Sequence, residues 1–160
     1  MDRINQILYH HTYRDCLRQI QQLEAGRIFC GHDMAHFMDV ARLAYLFNLE
    51  EGLCIPKDVI YGAALLHDVG RHIQYLEGTP HQQAGLPIAA EILTDCGYTD
   101  AERGEILGAI ASHRDRKVRE ELSLRGLLYR ADKMSRACYG CRAQEECDWS
   151  PEKKNLRIQY

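Results

Sequence analysis

The sequence predicts an all-α fold. Apolar residues recur at helical spacing in nearly every segment, and capping signals open several of those segments. No stretch shows the strict alternation of a strand. No internal repeat and no long Gly/Ser/Pro linker interrupts the pattern. The 160 residues therefore read as one helical domain over 1–137, with a cysteine-containing tail over 138–160 packed on or extending it.

The first predicted helix carries Ile4, Leu8, His11 and Asp15 beside Ile7, Leu17 and Ile20, and ends near Gly26. The second runs from about Asp33 to Leu49, with Asp33 as its N-cap and His36, Val40, Leu43, Ala44 and Phe47 on one stripe. A third starts at Pro56, which suits a first turn, and aligns Ile60, Ala63, Ala64 and His67. Thr79-Pro80-His81-Gln82 reads as a capping box opening a fourth, whose stripe is His81, Gly85, Ile88, Ala89 and Ile92, with Pro87 expected to bend it. Thr99-Asp100-Ala101-Glu102 is a second capping box, followed by Ile106, Ala109, Ile110 and His113. The charge run RDRKVREE at 114–121 reads as a solvated connection, and Leu124 to Met134 as the last apolar helix.

The composition is that of an ordinary globular domain, 46% apolar and 27% charged. With a net charge of -3, no overall basic field favours nucleic acid as a partner. No apolar run approaches a membrane span, and the polar N-terminus lacks the apolar core of a signal peptide. A cytoplasmic protein without a membrane partner is the expectation. Cys16, Cys30, Cys54 and Cys96 are scattered through apolar or helical sequence, as small hydrophobes of a reducing compartment would be.

The stripes share one oddity: His36, His67, His81 and His113 each lie on the apolar side of their own helix. A single buried histidine is most simply a structural group bonded to a backbone carbonyl. Several converging from different helices need polar partners, and a metal ion satisfies them together. Two carboxylates stand in matching places, Asp68 after the apolar run in AALLHDVGR and Asp132 in LLYRADK. Imidazole plus carboxylate is a donor set for Mn, Fe, Co, Ni or Zn, with Mg possible where carboxylates and waters dominate. The competing reading of Asp132 is an ion pair with Arg136 or Arg130 on an exposed helix. His72 reads equally as a group behind the ligands or as exposed.

The order His36, His67-Asp68, Asp132 resembles the H…HD…D signature of the HD-domain superfamily of metal-dependent phosphohydrolases. The contexts H-x-x-x-V-A-R-L-A at 36–44, A-A-L-L-H-D-V-G-R at 63–71 and Y-R-A-D-K at 129–133 carry the resemblance. H-x-x-x-G at 81–85 and I-A-S-H-R at 110–114 are similar to the extra histidines of members that bind a second metal. The resemblance implies that His36, His67, Asp68 and Asp132 hold one divalent ion, and that His81 and His113 join Asp68 on a second. It implies a catalytic role for Asp68, His67, Arg71 and Lys133, with Arg71, Arg114, Lys133 and Arg136 as phosphate-binding candidates. The implied substrate is a nucleotide or other small phosphate ester. Val69-Gly70-Arg71 follows the His-Asp pair where cyclic-dinucleotide phosphodiesterases of HD-GYP type have their tripeptide, so the chain looks more like dinucleoside tetraphosphate hydrolases. The same ligand order also serves di-iron HD-fold oxygenases, and a non-catalytic metal-binding regulatory domain is the third reading.

Two features remain. Cys138, Cys141 and Cys147 form a C-x2-C-x5-C cluster, a possible Zn or Fe–S site that lacks a local fourth thiol, with Cys30 as the distant candidate; the competing reading is three free thiols. His32-Asp33 looks like a decoy for the true His-Asp pair at 67–68, placed at the start of its helix. It could lie behind the ligands at the mouth of the site.

Overall fold

A computed structural model describes residues 2–160, and its described residues form helices and connections with no strand. The helices are α1 (Asp2–Tyr9), α2 (His11–Leu23), α3 (Met34–Glu50), α4 (Lys57–Leu66), α5 (Arg71–Glu77), α6 (His81–Asp95), α7 (Asp100–Ser112) and α8 (Leu124–Met134). The all-α fold predicted from periodicity is the fold observed.

Helix α4 organises the rest. Every residue from Val59 to Leu66 is buried, which a helix achieves only when neighbours cover all its sides. Those neighbours are α3, α7, α1, α8 and α6. Its stop is therefore forced into the middle of the molecule, and the residues at that stop are His67 and Asp68, 0% and 1% exposed. Helix α3 packs on α4 and α8 through Phe37, Val40, Ala41, Ala44 and Phe47, while α7 bridges α6 and α8.

The N-terminal segment is two helices rather than the single one that its apolar spacing predicts. His10 takes an extended conformation (φ -64°, ψ 130°), which breaks the ladder and resets the phase. Ile4 and Ile7 can then face α4 while Tyr13, Cys16 and Ile20 face α5 and α6. A straight helix could not turn both sets inward. His10 is held in the corner by its Nε2, 3.1 Å from Asp95 Oδ2.

Two further expectations change. The stretch after the His-Asp pair, to which the apolar spacing assigns no helix, is helical: Arg71–Glu77 forms α5, ended by Gly78 at φ 80°, a left-handed stop that glycine adopts without strain. The chain then turns directly into α6, so the Thr79 capping box does not form. Pro80 occupies the N-cap with no side-chain bond, and Gln74 of α5 accepts the His81 backbone N–H instead. The box at Thr99 does form, with reciprocal bonds between Thr99 and Glu102, and Asp33 caps α3 by accepting from the His36 backbone N–H. Helix α6 runs on through Pro87. The charge run 114–121 is mostly exposed, with a short 3-10 helix at Arg116–Val118 that buries Val118.

The polar end of the chain returns onto α8. Asn155 Nδ2 donates to the carbonyls of Lys133 and Arg136, and its own carbonyl accepts from Tyr139.

Arg3 ties α1 to two other helices. Its guanidinium donates to Asp58 of α4 and Glu102 of α7 and lies 4.2 Å over the Tyr98 ring. Arg3→Ala is expected to lower stability by ~1–2 kcal/mol, since it removes charge-assisted bonds and a cation–π contact at a partly exposed site. Chemical denaturation should show a lower midpoint at an unchanged m value; an unchanged midpoint would contradict the role. Gly126→Ala is expected to destabilise more, because a Cβ there would stand 2.0 Å from the Glu121 carbonyl oxygen.

Candidate metal centre

Helix ends build the site. Helices α4, α7 and α8 end beside it, and α3 and α6 begin there, so ligand-type residues near five helix termini meet in one place. His67 and His113 are the C-caps of α4 and α7. The carbonyls of a last helical turn lack intrahelical partners, and each of these rings satisfies one. His67 Nδ1–H donates to the Ala64 carbonyl at 2.7 Å, and His113 Nδ1–H to Ile110 at 2.6 Å.

The other two histidines are fixed by the same logic. His81 Nδ1–H donates to Gln74 Oε1. His36 Nδ1–H donates to Ser135 Oγ at 3.1 Å, while that hydroxyl donates onward to the Asp132 carbonyl. All four rings are thus anchored outward at Nδ1, which turns Nε2 inward.

Asp68 divides those lone pairs into two groups. Its Oδ2 is 3.2 Å from His67 Nε2 and 3.7 Å from His36 Nε2. Its Oδ1 is 3.0 Å from His81 Nε2 and 3.9 Å from His113 Nε2. Asp132 Oδ1 completes the first group, 3.5 Å from His36 and 3.7 Å from His67. The ligand atoms of His36, His67, Asp68 and Asp132 lie within 4.8 Å of one another, as do those of Asp68, His81 and His113. The sequence-predicted residues are therefore assembled in the two groups the sequence implied.

The electrostatics favour a cation. Burial pushes His36 down to about 4 and His113 down to about 3, and lowers His81, so these rings are neutral donors near pH 7. Burial would lower His67 as well, but the fields of Asp68 and Asp132 outweigh it and raise it to about 9. Burial works against ionising the two carboxylates, but His67, with His36 and His81 at Asp68 and with Lys133 at Asp132, outweighs it, and both stay ionised well below the usual range. Two observations test whether a metal suits the residues. His67 Nε2 is buried with no hydrogen-bond partner, despite its carboxylate neighbours. His81 and His113 bring Nε2 atoms to 3.0 Å with both Nδ1 protons already committed, a contact of two lone pairs that a cation between them relieves. The residues fit one or two divalent ions.

The cationic candidates stand around this core. Arg71 Nε donates to Asp68 Oδ1 at 3.1 Å, Lys133 pairs with Asp132, and Arg136 donates to His36 Nε2 at 3.0 Å and to the Gly31 carbonyl at 2.7 Å. Arg114 follows His113 and is exposed. Three positioning groups escaped the sequence reading: Ser135, Gln74 and Glu24. Glu24 accepts from His32 at both its backbone and Nδ1, and His32 Nε2 lies 3.7 Å from Asp68 Oδ2, so His32 stands behind the ligands rather than on the surface. His72 is buried too, donating to the Val69 carbonyl, and faces none of the ligands named above.

Glycines set the distance between the two groups. A Cβ on Gly70 would meet the His81 carbonyl oxygen at 2.4 Å and the Gly85 nitrogen at 2.5 Å. Backbone against backbone at this point is what lets α6 approach α5 closely enough for His81 to reach Asp68.

The HD domain profile matches residues 34–137. A Clostridium beijerinckii protein described as uncharacterized is 44% identical over 160 residues, the whole of both chains. Ribonuclease Y of Nitratidesulfovibrio vulgaris is 27% identical over 135 residues, 84% of this chain, and ribonuclease Y 1 of Pediococcus pentosaceus 28% over 106 residues, 66% of this chain. The chain spans only 24% and 18% of those two ribonucleases. Among solved structures, a predicted HD superfamily hydrolase from an uncultured Thermotogales bacterium superposes with a TM-score of 0.62 at 24% identity, covering 89% of this chain and 81% of that one. The profile match over residues 34–137 makes this chain a member of the HD domain family.

Proposed function

We propose that the protein is a metal-dependent phosphohydrolase acting on a nucleotide or other small phosphate ester. One observation carries the reading: the two oxygens of Asp68 face different pairs of inward-turned imidazoles. A carboxylate shared in this way suits a pair of cations. His36, His67, Asp68 and Asp132 would hold one, and Asp68, His81 and His113 the other. When bound, such ions supply Lewis acidity and an activated water to an in-line displacement at phosphorus.

The chain's own side chains do the rest. Nδ1 bonds hold the four rings with Nε2 turned inward, so little movement of the rings is needed on binding, and His67 would give up its second proton to an ion. Arg71, Lys133 and Arg136 already lean on Asp68, Asp132 and His36; a phosphate entering the site would offer Arg71 and Lys133 a further charged acceptor, and Arg136 a stronger one than the neutral ring. Arg114, exposed beside His113, is placed to hold a more distal phosphate. The buried setting keeps these charges poorly screened and excludes competing water from Asp68, which is 1% exposed. The -3 net charge supports a small substrate over long nucleic acid. The ribonuclease Y relatives act under a name that specifies RNA, so phosphodiesters belong in the substrate panel.

The direct test combines metal analysis of protein purified without added metal with phosphate release from mononucleotides, dinucleoside polyphosphates, cyclic dinucleotides and short RNA. Metal-stimulated phosphate release supports the reading. Two bound irons with oxygen consumption and no phosphate release would replace it with oxygenase chemistry. His67→Ala and Asp68→Ala are expected to lose bound metal and reduce turnover to background with helical content retained; normal turnover in both would refute the site.

Two subtler variants separate the halves of the centre. Ser135→Ala frees the outer face of His36 and is expected to weaken metal affinity by ~10–100-fold in chelator competition. Gly70→Ala should drive α6 away from Asp68, giving one ion per chain where the wild type holds two. Unchanged stoichiometry in Gly70→Ala would contradict the role of that close approach.

A further inference from the structure

We propose that Cys30, Cys138 and Cys141 form a second, separate site for a thiophilic divalent cation of the zinc class, which clasps the C-terminal tail onto the segment before α3. Three observations converge. All seven cysteines are free thiols, and these three, from segments more than a hundred residues apart, line one cavity of about 290 Å3 together with Gly31, Asp33, His36 and Arg136. The tail pair is arranged as a knuckle: Cys138–Gly140 is a single 3-10 turn, and the Cys141 backbone N–H donates to the Cys138 carbonyl at 3.2 Å, a tight turn that returns the chain beside its start. Cys30 is brought opposite that knuckle by Arg136, whose guanidinium donates to the Gly31 carbonyl.

Burial raises the Cys30 thiol, Arg136 opposes that rise, and the neighbouring sulfurs of Cys138 and Cys141 add to it, so the three sulfurs and the guanidinium already share one electrostatic field. By contrast Cys16 and Cys96 are packed among core side chains. The sulfurs line the cavity without lying within the 4.8 Å spacing that unites the histidine–aspartate groups, so the proposed site requires the knuckle and the Cys30 segment to close on the cation. Zinc–sulfur bonds of about 2.3 Å in a tetrahedron fix that closure, and three thiolates leave the fourth position to water or to Cys147 farther along the same turns. The clasp shares no ligand with the histidine–aspartate centre, although His36 and Arg136 border both.

The test titrates the full-length, reduced protein with Cd2+ and follows the ultraviolet charge-transfer band of cadmium–thiolate bonds, which imidazole and carboxylate ligands do not give. The expected result is one equivalent with this band in the wild type and in Cys54→Ser, and loss of the band in Cys30→Ser and Cys141→Ser. Zn2+ should abolish the band by competition and protect Cys30 from alkylation. No thiolate band in the wild type, or an unchanged band in Cys30→Ser, would overturn the proposal. Cys30 and Cys141 are only half-buried, so those variants remain informative even if replacing the buried Cys138 prevents folding.

Discussion

Asp68 is the constraint on which the rest of the structure depends. An ionised carboxylate at 1% exposure is costly unless it is surrounded by partners, and here the partners come from every packed helix around it. His36 arrives from α3, His67 from the end of α4, His81 from the start of α6 and His113 from the end of α7. The burial of α4 on all sides places its stop at the centre of the bundle, so the residues following that stop had to be ones that tolerate a buried polar environment. The fold and the site are in this sense one arrangement: the helix that forms the middle of the core ends in the group that organises the chemistry.

The division of Asp68 between two imidazole pairs depends on backbone, not only on side chains. Gly70 and Gly85 remove the Cβ atoms that would separate α5 from α6, and Gln74 then spans the gap to seat both the backbone N–H and the ring of His81. On the other flank, Ser135 passes a hydrogen bond from His36 to the Asp132 carbonyl, coupling the first and last ligands in chain order. These small groups account for the glycine of H-x-x-x-G and the serine after Y-R-A-D-K in physical terms.

Much of this was legible in the sequence, and the reasons differ by residue. His36, His67, His81 and His113 announced themselves because polar groups on apolar stripes violate the helical pattern, and the pattern is local. The His32-Asp33 pair sits at the start of its helix as its local sequence indicates, with Asp33 as the N-cap, while His32 is nearly buried with its Nε2 3.7 Å from Asp68 Oδ2. The split at His10 was not legible: one residue's ψ angle decides it, and the bond to Asp95 that fixes it spans 85 positions. Helix α5 was missed because it is seven residues long, buries only His72 and has no side-chain cap. Gln74, Glu24 and Ser135 lacked a signal for a related reason, since a polar residue becomes a positioning group only through the tertiary contact it makes. The Thr79 capping box failed because α5 supplied a better acceptor than the local sequence did.

The claim that Asp68 serves two ions at once is most directly tested by electron paramagnetic resonance of the Mn2+-loaded protein. Two Mn2+ ions sharing one carboxylate should give an exchange-coupled multiline spectrum at two ions per chain, collapsing to uncoupled single-ion signals in His113→Ala. A single uncoupled six-line spectrum at saturating Mn2+ in the wild-type protein would contradict the account.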